Sequence, residues 1–159
     1  NSKPLVLALN TESSIDNDLI DVRIACHPLR LKTDCEKLAN FSKPLITPAS
    51  SIPNNVLDVL SSIEILDYGL SVQENQVKYE KTYCILSNPI VISYALAVTT
   101  SGKAKRLLLA GFDGYRSDDP LRIENDMVFK AHQDIESAVN IIAVTPTLYN
   151  IDTTSIYAL

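Results

Sequence analysis

Arg106-Leu-Leu-Leu-Ala-Gly-Phe-Asp-Gly-Tyr115, continuing as Arg116-Ser-Asp-Asp-Pro-Leu-Arg-Ile-Glu-Asn125, reads as a strand that empties into a glycine-flanked acidic loop and restarts as a helix. Leu107 to Ala110 form the apolar run of a strand buried on both faces, and Gly111 and Gly114 allow the backbone to turn sharply. Asp119-Pro120 supplies a capping carboxylate and then the residue best suited to a first helical position. Open α/β sheets bind ligands outside the carboxyl ends of their strands, so this loop presents Phe112, Asp113 and Tyr115.

The same alternation extends in both directions. Apolar runs at Leu5–Leu9, Val22–Cys26, Leu45–Thr47, Ile63–Leu66 and Ile141–Val144 predict further strands, with Pro28, Pro48 and Pro146 as stops. Thr11 or Ser13 is placed to cap a short helix carrying Ile15, Leu19 and Ile20. Leu31, Cys35 and Leu38 recur at helical spacing up to about Phe41, and Ser51 with Pro53 starts a helix bearing Val56, Leu57 and Leu60. Val77 to Leu86 is extended, with Gln73–Gln76 as the turn between it and the strand at Ile63–Leu66, and the two are compatible with an antiparallel pair. Asn88-Pro89 opens a helix that is apolar on nearly every side from Ile90 to Val98 and closes at Gly102. The helix from Pro120 is expected to bury a face made of Ile123, Met127, Ala131, Ile135 and Ala138. Strand and helix alternating for most of the length predict an α/β fold: a single three-layer Rossmann-like domain over residues 1–159, with a mainly parallel sheet and helices on both faces.

A chain of 159 residues that is 46% hydrophobic can build one core. Fourteen basic against 19 acidic residues, without a Lys/Arg cluster, exclude the electrostatic footprint of nucleic-acid binding. No apolar run reaches the roughly 20 residues needed to cross a bilayer, so no membrane partner is expected. Cys26, Cys35 and Cys84 are dispersed without a Cys-x-x-Cys pair, which fits a reducing cytoplasm better than a disulfide framework or zinc site. Asn1-Ser-Lys3 lacks an initiator Met and leads directly into an apolar run, so the natural polypeptide is expected to extend further N-terminally.

Right-handed crossovers gather the loops after parallel strands on one edge. The residues so gathered are Asn10, His27, Arg30, Thr47, Asn88, Asp113, Tyr115 and Thr145, with Asp118, Arg122 and Glu124 beside them. Asp113 is placed either to contact a ligand hydroxyl or to stabilise its own turn. Asp118 and Asp119 form a candidate carboxylate pair, although Asp119 also reads as a helix cap. Arg122 and Glu124 fall in the first turn of that helix, where a glutamate also suits the dipole. His27 ends a strand, as a ligand contact or a structural hydrogen-bonding group, whereas His132, late in a helix, reads as surface or boundary. Arg30 offers a planar fork to an anion or a helix-end ion pair. The chain contains no Gly-x-Gly-x-x-Gly, Walker loop, Gly-x-Ser-x-Gly elbow or metal-ligand spacing, so no cofactor or metal is predicted for it.

Leu7-Ala-Leu-Asn10, Ile24-Ala-Cys-His-Pro-Leu-Arg-Leu31, Pro44-Leu-Ile-Thr-Pro48, Leu108-Leu-Ala-Gly-Phe-Asp-Gly-Tyr115 with Asp118-Asp-Pro120 and Glu124-Asn125, and Val144-Thr-Pro-Thr147 together resemble the C-terminal domain that follows the barrel in bacterial HMG-CoA-lyase-like, 4-hydroxy-2-oxovalerate aldolase-like proteins. The resemblance implies an accessory ligand-binding or regulatory domain, with the barrel of the same polypeptide as its partner. It also implies that the lyase chemistry and its divalent metal belong to that barrel, which at about 250 residues does not fit here. Gly102, the strand from Leu107 and Gly111-Phe-Asp-Gly-Tyr115 are also similar to the layout of sialyltransferase-like Rossmann domains, with Leu9-Asn10-Thr11 standing where those have a glycine-rich loop. Both likenesses imply sugar-acid or surface-polysaccharide metabolism and a small anionic or sugar-like ligand. The alternatives are a glycosyltransferase-like domain with Asp113 and His27 at the reacting centre, or a structural module that sets a homo-oligomeric state.

Overall fold

The computed structural model describes residues 3–11, 14–116 and 118–158. The chain is α/β and divides into two compact units, Asn1–Ala95 and Leu96–Leu159.

In the first unit, β1 (Leu7–Leu9), β2 (Val22–Ile24), β3 (Leu45–Thr47) and β4 (Ile65–Asp67) form a parallel sheet in simple sequence order. Helix α1 (Pro28–Asn40) connects β2 to β3, and α2 (Asn54–Leu60) connects β3 to β4. Two right-handed crossovers that step in the same direction put both helices on the same face of the sheet. The core agrees: Leu31, Cys35 and Leu38 of α1 and Val56 and Leu60 of α2 pack in one cluster with Ala25 and Leu45. Arg23 and Leu45 are register partners and so share that face.

A second sheet in this unit has the order β5 (Gly69–Val72), β7 (Tyr83–Leu86), β6 (Lys78–Tyr79). The antiparallel pairing expected between Ile63–Leu66 and Val77–Leu86 is therefore revised: β4 pairs in parallel with β3, β7 pairs in parallel with β5, and the short β6 lies antiparallel to β7. Tyr68 is where the chain changes partners. Its amide donates to Thr47 of the first sheet at 3.2 Å, and the next amide, Gly69, donates to Thr82 at 2.9 Å. A side chain at Gly69 would sit 2.9 Å from Tyr83 Cβ, so the close approach of β5 to β7 needs glycine there. The Tyr94 hydroxyl donates to the Tyr68 carbonyl and holds this junction from beneath.

The expected helix carrying Ile15, Leu19 and Ile20 is a single 3-10 turn, Asn17–Leu19, capped by Asp16 accepting from the Asp18 amide at 3.1 Å. Its short polar residues bond the backbone locally and compete with helix propagation, so Ile15 and Leu19 stay exposed and only Ile20 is buried. Ser13, one of the two caps considered, lies outside the described residues.

Helix α3 (Val91–Ser101) carries the boundary between the units. Tyr94, Leu96 and Ala97 on it are fully buried, as an all-round apolar helix requires. At its end Lys103 takes the left-handed backbone, φ 56°, which Gly102 was expected to supply. In the second unit, β8 (Leu107–Leu109), β9 (Ile141–Ala143) and β10 (Asp152–Thr153) pair in parallel in the order β10-β9-β8, with α4 (Pro120–Gln133) between β8 and β9. Among the described residues the strand pairings are thus parallel except for β6 with β7, and they fall into three hydrogen-bonded sheets.

Helix α4 buries Val128, Phe129 and His132, whereas Ile123 and Met127 are 62% and 67% exposed. Of the face expected from the sequence, Ile123 and Met127 are thus turned to the surface, Ala131 is half-buried, and Ile135 and Ala138, also half-buried, lie beyond the end of α4. His132 is correspondingly 1% exposed rather than at the surface.

Candidate functional site

A cleft of ligand-pocket character lies in the first unit, beyond the carboxyl ends of β2 and β3. After β2 the chain runs through Cys26 to His27, whose extended backbone (φ −78°, ψ 121°) leads into Pro28 at the start of α1. Proline there loses no helical hydrogen bond, and His27 makes no side-chain cap bond, so its exposed ring remains at the loop edge. After β3, Pro48 turns the chain into a 3-10 turn, Ala49–Ser51, and Pro53 starts α2.

These segments enclose a cleft of about 300 Å³. Leu31 of α1 and Val56 of α2 form its helical wall, Leu70 and Val72 of β5 face them, and His27 and Ser51 are its exposed polar side chains. Pro89 closes the remaining side, and its carbonyl accepts from Cys26 Sγ at 3.4 Å.

Cys26 is 1% exposed, and burial pushes its thiol up to about 12. Cys84 of β7 is likewise raised to about 12, by burial first and then by the neighbouring Cys26. Both are protonated, inert thiols at neutral pH, so the cleft holds no activated sulfur nucleophile. A thiol titration of the native chain near about pH 8 should leave both unmodified until denaturant is added, because that pH is far below their ionisation. Rapid labelling of Cys26 in the native state would contradict this assignment.

Of the residues expected at the loop edge, His27 lines this cleft. Arg30 is exposed in the first turn of α1 and lies outside the lining. Asn10 takes a left-handed backbone, φ 55°, and is tied into the strand pairing: its amide donates to Ile24 at 2.8 Å and its carbonyl accepts from Arg23 Nη1 at 3.0 Å. Thr47 is fully buried, its hydroxyl without a partner among the described residues, and its neighbour Pro48 reaches the cleft in its place. The Asn88 carbonyl accepts from Ser93 Oγ at 2.7 Å, and Pro89 is the lining residue.

The remaining candidates belong to the second unit, where most join the loops after β8 and β9. Gly111 donates its amide to Thr145 Oγ1 at 3.0 Å, and the Asp113 carbonyl accepts from the Leu148 amide at 2.8 Å. Arg122 donates to the carbonyls of Tyr115 at 3.3 Å and Leu148 at 2.8 Å, while its Nε lies 3.7 Å from Asp126. Gly114 has φ 100°, and a Cβ there would sit 2.9 Å from Leu148 Cβ, so this junction requires glycine. Asp119 caps α4 by accepting from the Leu121 amide at 2.9 Å, as expected. Asp118 is exposed beside Arg116 at 3.7 Å, so the two aspartates do not act as a carboxylate pair. Glu124 is half-buried, and the side chains of Asp113 and Tyr115 are exposed.

Two buried polar groups had no prominence in the sequence. Arg23 is 2% exposed on β2, donates Nη2 to Asn17 Oδ1 at 3.3 Å, and lies 3.6 Å over the Phe41 ring. Burial lowers its pKa, and its contacts join the ends of β1 and α1. His132 Nε2 lies 2.8 Å from the Val139 carbonyl, and burial holds its pKa below the usual histidine range despite that bond. The folded state therefore favours neutral His132 more than the unfolded state does. Stability from this group is complete above the unfolded pKa and is lost as pH falls towards the lower folded value. Denaturant midpoints should fall between about pH 7 and about pH 5.5, with a flatter profile in His132→Gln. Identical slopes in the two proteins would contradict this role.

Among the described residues, no group of three or more His, Cys, Asp or Glu side chains is arranged to hold a metal ion, and no helix is long and apolar enough to cross a membrane. Comparison of the chain with protein-family models, curated proteins and solved structures gives no match.

Proposed function

We propose that this chain is a Rossmann-like ligand-binding or regulatory domain, accessory to an HMG-CoA-lyase-like, 4-hydroxy-2-oxovalerate aldolase-like protein of the cytoplasm, and that the cleft beyond β2 and β3 is its ligand site. The observation that carries the reading is the position of an apolar cleft, with two exposed polar side chains, at the carboxyl edge of a parallel sheet. Its one thiol is protonated and its histidine makes no side-chain bond to the helix it caps, which supports binding over covalent catalysis. The buried, unpaired cysteines support a reducing compartment. The wider reading has three further parts: a single three-layer domain with helices on both sheet faces, the barrel of the same polypeptide as partner, and a role in sugar-acid or polysaccharide metabolism.

Ser51→Trp tests the assignment, because residue 51 is exposed and a large ring there fills the cleft without disturbing the core. Thermal denaturation with 4-methylpentanoate or gluconate should show stabilisation of the wild-type chain that Ser51→Trp loses. No stabilisation by either compound, or equal stabilisation of both proteins, would remove the cleft as the ligand site.

A further inference from the structure

The hydrogen-bonding inventory of the cleft wall limits what can occupy it. Four of the lining residues, Pro28, Pro48, Pro53 and Pro89, have no amide hydrogen to donate. The nearby carbonyls are also engaged: His27 accepts from the Leu31 amide at 2.9 Å, Pro48 from Ser51 at 2.9 Å, and Pro53 from Val56 at 2.9 Å. The Pro89 carbonyl is taken by Cys26 Sγ. Among the lining side chains, His27 and Ser51, both exposed, are the ones that carry nitrogen or oxygen, and the others are aliphatic, proline or the buried Cys26 thiol.

We propose that this cleft selects a compact aliphatic molecule with one polar end, held with its hydrocarbon body inside and its polar end at His27 and Ser51. The inference rests on the reading of the cleft as the ligand site and narrows the ligand class. A sugar acid of the same size would carry several hydroxyls into a wall that can bond very few of them, and each buried hydroxyl left without a partner weakens binding by about tenfold or more. A volume of about 300 Å³ is at the small end of ligand pockets and excludes a nucleotide-linked sugar as the fully enclosed group.

Methyl-resolved NMR of the intact chain tests the class directly, with 4-methylpentanoate, 4-methylpentan-1-ol and gluconate as probes. The first two should produce saturable shifts at Leu31, Ile52, Val56 and Leu70, at least about tenfold tighter than gluconate. Ser51→Trp should abolish these shifts, while His27→Ala should weaken the carboxylate and the alcohol but leave the same methyls perturbed. Gluconate binding at these methyls as tightly as the aliphatic probes would overturn the ligand class while leaving the cleft as a binding site. Saturable shifts by none of the three would overturn the class together with the site.

Discussion

Replacing Phe129 with alanine should destabilise the protein by about 3 to 5 kcal/mol, whereas Met127→Ala should change its stability by less than about 0.5 kcal/mol. Phe129 is 2% exposed and packs at 5.1 Å between ring centroids against Tyr149, a buried residue of the segment after β9. Truncation removes that ring contact and leaves a cavity that α4, fixed at its start by Asp119, does not readily collapse. Met127, two residues away, is 67% exposed and loses little. The pair thus measures which side of α4 faces the core. Urea unfolding of both variants is sufficient, and a larger loss in Met127→Ala would mean that the helix is rotated from the arrangement described.

Leu96→Ala should cost about 2 to 5 kcal/mol, the range for a leucine truncated in a packed interior. Leu96 is fully buried in α3, between Ala95 and Ala97, which are buried as well. The neighbouring small side chains offer little that can move to fill the space. A loss below about 0.5 kcal/mol in equilibrium denaturation, the usual outcome at surface positions, would contradict the burial of this helix.

The legible parts of the chain are those in which one apolar run meets one clear stop. Leu45–Thr47 before Pro48, and Ile141–Ala143 before Thr145-Pro146, become strands as read, and Leu31, Cys35 and Leu38 bury as a single stripe. Helix α4 was misread because it carries two apolar sets. Ile123, Met127 and Ala131 follow helical spacing as well as Val128, Phe129 and His132 do, and spacing alone does not say which set meets a sheet. Strand β5 was hidden by its composition: Gly69 and Ser71 interrupt the apolar pattern, and the reason for Gly69 is Tyr83, fourteen positions away.

The candidate site was legible only in part, for a related reason. His27, marked in the sequence because it ends a strand, lines the cleft. The rest of the cleft is built from aliphatic residues that read as core and prolines that read as stops. One available signal was that three strand-end segments are followed by proline, at His27-Pro28, Thr47-Pro48 and Asn88-Pro89, and all three prolines line the cleft. Conversely, Arg122 and Thr145 were marked as ligand groups because they are polar and near strand ends. Their hydrogen bonds instead secure the loops after β8 and β9 to each other.

The most direct test of the cleft as the working site is a crystal structure of the chain with 4-methylpentanoate bound. The branched end of the ligand is expected against Leu31, Ile52 and Val56, with the carboxylate at the mouth beside His27 and Ser51. Ligand density at another position, with the cleft vacant at saturating concentration, would contradict it.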